Sequence, residues 1–65
     1  MPEIKISIIK DSVSIESDDL YYANIRDSGS GLKGNEELKG REEEINSLCA
    51  GISELIYQLQ DVLRR

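Results

Sequence analysis

The 65-residue sequence contains no histidine, tryptophan or phenylalanine, one cysteine (Cys49), one proline, and three tyrosines as its only aromatics. These absences close off several classes of function. Without histidine, and with a single thiol, the chain cannot assemble a structural zinc site or pair a serine or cysteine nucleophile with an imidazole base. A lone cysteine also excludes an intrachain disulfide. No stretch approaches the roughly eighteen apolar residues of a membrane span. The opening Met1-Pro2-Glu3 lacks the basic segment and apolar run of a signal peptide. The expected location is a reducing cytoplasm, of a cell or of a host that a virus has entered.

Positive charge is also scarce. Eight basic residues face thirteen acidic ones, for a net charge of −5. The imbalance is spread along the chain: residues 1–35 carry four basic and six acidic side chains, and residues 36–65 carry four and seven. A protein that neutralises phosphates needs clustered Lys and Arg, so direct binding to nucleic acid is not expected.

Hydrophobic residues make up 38% of the chain, enough apolar content to fold. The length allows a single domain. In a domain this short one core rarely supplies more than about 3–5 kcal/mol, and such proteins need an additional staple. With disulfide and metal removed, oligomerisation is the staple that remains.

The expected fold class is α+β: an N-terminal antiparallel β-hairpin or three-stranded meander followed by one long amphipathic helix. Ile4, Ile6 and Ile8 alternate with Lys5 and Ser7, and Val13 and Ile15 alternate with Ser14 and Glu16, as in strands with one buried face. Asp11-Ser12 can turn the chain between them. Residues 18–27 read either as a third strand, Leu20 to Arg26, or as a short capped helix; Tyr21-Tyr22 favours the strand. The stretch 27–35 (DSGSGLKGN) has the composition of a flexible loop.

From Glu36 to Arg64 the period becomes helical. Leu38, Ile45, Ile52 and Leu59 recur every seven residues, with Leu48, Leu55 and Val62 three residues after the last three, as at the a and d positions of a heptad. Cys49, Ile56 and Leu63 widen the stripe at e. Asn35 is placed to cap, Glu36 and Glu37 suit the positive end of the dipole, and Arg64 and Arg65 the negative end. Gly40 can delay the start. Such a helix spans about 43 Å, whereas a seven-residue strand spans about 23 Å, so the sheet cannot cover the whole stripe. Leu38, Ile45, Leu48, Ile52, Leu55, Ile56, Leu59, Val62 and Leu63 are therefore the expected self-association residues. Placing Glu42, Glu43 and Glu44 beside a partner's Arg64 and Arg65 favours antiparallel helices, although Ile at a with Leu at d pulls toward a parallel dimer.

No motif points to chemistry. Gly29-Ser30-Gly31-Leu32-Lys33-Gly34 matches G-x-G-x-x-G, but no second parallel strand follows the helix, and Glu36 and Glu37 would repel a pyrophosphate. A P-loop needs Lys and Ser or Thr where Asn35-Glu36 stand. Glu16, Asp18 and Asp19 lack EF-hand spacing, and a ribbon-helix-helix fold conflicts with the second strand. Cys49 reads as a small buried residue. Tyr57, on the face opposite the seam, either packs under the hairpin or anchors a partner; Glu42, Glu43 and Glu44 are further candidate partner contacts.

No catalytic, cofactor or metal residues are expected. The expected function is a non-enzymatic oligomeric adaptor or regulator that binds itself and another protein. The alternatives are an acidic inhibitor that mimics nucleic acid or occludes or sequesters its target, and a subunit of a larger assembly.

Overall fold

The computed structural model describes residues 3–65; Met1-Pro2, part of the stretch considered for a leader, lies outside them. Four antiparallel strands in the order of the chain form one sheet: β1 (Lys5–Ile9), β2 (Ser12–Ser17), β3 (Leu20–Ile25) and β4 (Gly29–Gly34). A single 3-10 turn (Glu36–Leu38) leads into α1 (Glu42–Leu63), which lies across one face of the sheet. This is the α+β class read from the sequence.

The alternation in β1 and β2 forms a hairpin in the register Ile6 opposite Ile15 and Ile8 opposite Val13. Residues 20–25 take the strand alternative. Residues 29–34, expected to be a loop, form a fourth strand instead. The reason is tertiary: β3 offers a ladder of Tyr21, Tyr22 and Ala23 to Lys33, Leu32 and Gly31, and strand pairing outweighs the weak propensity of a glycine-rich segment. At Gly34 the strand passes close under Leu38: an added Cβ would lie 2.7 Å from Leu38 Cδ1.

The helix begins at Glu42, six residues after its expected start at Glu36. Asn35 does cap, but it caps the 3-10 turn: its Oδ1 accepts from Glu37 N at 2.9 Å while its Nδ2 donates to Asp19 Oδ1 at 2.8 Å. Gly40, with φ of +86°, then breaks the path, a conformation that Cβ-bearing residues rarely take. Leu38 therefore stands outside α1, half-buried, beside Gly34.

Val13, Ile15, Tyr22, Cys49 and Tyr57 form the core, with Leu20, Leu32, Ile45 and Ile56 packed around it. This core is small and the molecule is flat, measuring 42 × 23 × 15 Å. Its radius of gyration is 12.3 Å, against about 10.7 Å for a compact chain of this length.

Candidate functional site

α1 runs diagonally over the sheet. Its start lies near β4, where Leu32, Leu38, Glu42 and Asn46 line a shallow groove. Its end reaches the β1–β2 turn, where Gln60 Nε2 donates to Lys10 O at 3.1 Å and Arg64 approaches Asp11. Cys49, Ser53 and Tyr57 are the buried residues of the helix and face the sheet. Advancing roughly 100° per residue, Ala50, Glu54 and Asp61 fall on the flank beside β3 and β4. They border a depression of about 630 Å³, whose other side is formed by Asn24, Arg26 and Asp27. Ile52 and Leu59 fall on the opposite flank, about 100–120° round from Ser53, while Leu48 and Leu55, at about 140–160°, point away from the sheet.

The helix meets the sheet through its e, b and f positions and leaves the a/d stripe bare. Leu48 is 62% exposed and Leu55 65%, and Ile52, Leu59, Val62 and Leu63 are also exposed. Ile45 and Ile56 differ: both are half-buried against the core.

The sheet contributes to the same bare region. Alternation places Ile6 and Ile8 on the face that carries the helix, opposite buried Ile15 and Val13. The helix packs chiefly on β2, β3 and β4, and Ile6 stays 46% exposed and Ile8 48%. These two residues were missed at the level of sequence. Their alternation was visible, but it was read as a buried face within the chain. With exposed Ile52 and Leu59 on the helix flank, Ile6 and Ile8 leave an apolar trough between β1 and α1, and Leu48 and Leu55 continue the apolar surface over the outer side of the helix.

The flat shape also leaves the whole chain with more exposed surface than its mass predicts. The chain exposes 5174 Å². A folded monomer of its 7.3 kDa mass typically exposes about 4,200 Å². The excess, about 1,000 Å², matches the roughly 800 Å² that each partner contributes to a standard interface.

Tyr57, a candidate partner anchor, is instead a core residue. Its Oη lies 2.8 Å from Asn24 O, 3.0 Å from Asn24 Oδ1 and 3.1 Å from Asp11 O, and burial pushes its phenol pKa upward. Asp11 O already accepts from Arg26 N across the β2–β3 ladder, so the hydroxyl reaching down from the helix adds a further donor at the end of that ladder. Arg26 stacks 5.3 Å from the Tyr57 ring centroid and grips Asp61 with two bonds of 2.8 and 2.6 Å. That guanidinium holds the Asp61 carboxyl below its ordinary pKa. Burial raises the Cys49 thiol, which favours the unreactive protonated form.

Glu42, Glu43 and Glu44 are exposed at the start of the helix, and Glu42 Oε2 accepts from Gly40 N at 2.8 Å. The G-x-G-x-x-G residues form β4, paired along its length to β3, and not a loop that leads into a helix N-terminus. A second depression, of about 480 Å³ at the Asp18–Asp19 end, mixes Lys5 and Lys33 with Glu16, Asp18 and Asp19. Among the described residues, no three His, Cys, Asp or Glu side chains are grouped to hold a metal ion, and no helix is long and apolar enough to cross a membrane. No family model matches the chain, and no curated protein or solved structure matches it either.

Proposed function

We propose that this chain is a non-catalytic interaction protein that works as a homo-oligomer, joined through the apolar trough between β1 and α1, and serves as an adaptor or regulator of another protein. The observation that carries this reading is the bare a/d stripe of the helix together with bare Ile6 and Ile8 of β1. A patch of this kind marks an interaction site or an aggregation hazard. The small core needs the second chain for stability, as expected for domains of this size.

The test is a charge in the stripe. Leu55→Glu leaves every core contact in place, and light scattering on the eluted peak should return the monomer mass where the wild type returns a multiple of it. A variant that stays associated would contradict the reading.

One observation favours a second reading, an acidic inhibitor. Glu36, Glu37, Glu42, Glu43 and Glu44 are all exposed at one end of the molecule, and none forms an ion pair among the described residues. A row of uncompensated carboxylates suits a cleft built for phosphates. Target binding that weakens steeply with salt and competes with DNA supports this version, and salt-insensitive binding supports the adaptor.

A further inference from the structure

The backbone hydrogen bonds of the sheet fix which way each strand's polar groups point. Arg26 N donates to Asp11 O at 2.8 Å, so 11 and 26 are a hydrogen-bonded pair and, by alternation, so are 13 with 24 and 15 with 22. Ser12, Ser14 and Glu16 must then turn their backbone groups the other way, to Ile9, Ser7 and Lys5 of β1. Ile6 and Ile8 are left with N–H and C=O groups aimed outward from the free edge of the sheet.

That edge is unprotected. Natural sheets guard their edges with proline, bulges, inward-pointing charges or a covering segment. β1 has an unbroken register, contains no proline, and carries its one charge, Lys5, on the face away from the helix. Nothing among the described residues covers it. The other free edge, β4, has little apolar side chain to bury beyond Leu32.

We infer that the second copy docks by strand addition: β1 pairs antiparallel with β1 of the partner about a two-fold axis through Ser7, giving one continuous eight-stranded sheet. Ser7 is the middle residue of Lys5–Ile9, so this register overlaps the whole strand. It sets the outward groups of Ile6 against those of Ile8 in the partner, and the reverse, and brings the two Ser7 residues together as a non-hydrogen-bonded pair. Isoleucine meets isoleucine on the helix side. The two Lys5 residues fall at opposite ends, each across from Ile9. The axis stands perpendicular to the sheet, so both helices lie on one face and run antiparallel. Their bare flanks turn toward each other over a floor of Ile6 and Ile8 from both chains.

This inference rests on the self-association proposed above, and the test separates the two. In the full chain with Cys49→Ala, so that no other thiol is present, Ser7→Cys is oxidised with diamide. Cα atoms in a non-hydrogen-bonded pair stand about 4.5 Å apart, within disulfide reach, so a covalent dimer with the wild-type circular dichroism spectrum is expected. Lys5→Cys in the same background should not link to itself. Ile8→Pro removes an outward N–H while sparing the ladder to β2, and should raise the dimer dissociation constant at least about tenfold, the equivalent of roughly 1.4 kcal/mol. If the wild type associates but Ser7→Cys does not cross-link, or Lys5→Cys links as readily, strand addition in this register is overturned and self-association stands. A monomeric wild type overturns both.

Discussion

Tyr57 brings a hydroxyl to the end of the β2–β3 ladder, within 3.1 Å of Asp11 O, Asn24 O and Asn24 Oδ1. One hydroxyl proton cannot serve three acceptors. Turning the Asn24 amide lets Nδ2 donate to Tyr57 Oη while Oδ1 accepts from Tyr22, with Tyr57 Oη donating to Asn24 O; each atom then has a complementary partner within 3.1 Å. Removing that hydroxyl takes away the bonds that tie the helix to Asn24, at a cost of about 1–1.5 kcal/mol. For a domain of this size Tyr57→Phe should lower the melting temperature by about 5–10 °C in a thermal scan, with the oligomeric mass unchanged because Tyr57 touches no part of the trough. Asp61 sits beside it and gives a pH signature. Arg26 lowers its folded-state pKa, so its stabilising effect is complete above the unfolded carboxylate value, about 3.9. That effect is lost as pH falls through the lower folded value. Asp61→Asn should therefore melt below the wild type at neutral pH, and the gap should close on acidification. A gap that persists to about pH 2 would show that the ion pair is not its source.

Among the elements, β4 and α1 show where sequence pattern stops being informative. The helix was legible because seven apolar residues recur at helical spacing over more than three turns, and nothing else satisfies that period. Its start was less legible, since Leu38 continues the heptad but Gly40 at positive φ diverts the chain first. β4 was illegible for a physical reason. Gly29, Ser30, Gly31 and Gly34 have little side chain through which to express a preference, and only the ladder to β3 makes them a strand. The stripe itself was readable as a set, but its division was not. The sheet contacts Ile45 and Ile56 and leaves Leu48, Ile52, Leu55 and Leu59 free, because Ser53 and Cys49 are small enough to let the helix settle on that side. Gly51 lies in the helix interior, and a Cβ added there meets nothing within 4 Å. Gly51→Ala should therefore stabilise α1 by about 0.8–1 kcal/mol, read as a rise of several degrees in melting temperature. A fall would mean that the close approach of another chain requires a glycine at that position.

The whole molecule is a single sheet with one helix laid across it, and the helix is too narrow to cover four strands. What it leaves uncovered is the isoleucine row of β1 together with the flank of its own a/d stripe. The core of five buried apolar residues is too small to make this opening inexpensive in water. Sedimentation equilibrium on the wild-type chain, from low micromolar to millimolar concentration, tests this directly. The account predicts a mass that rises to at least twice 7.3 kDa. A single 7.3 kDa species across the whole range would contradict it.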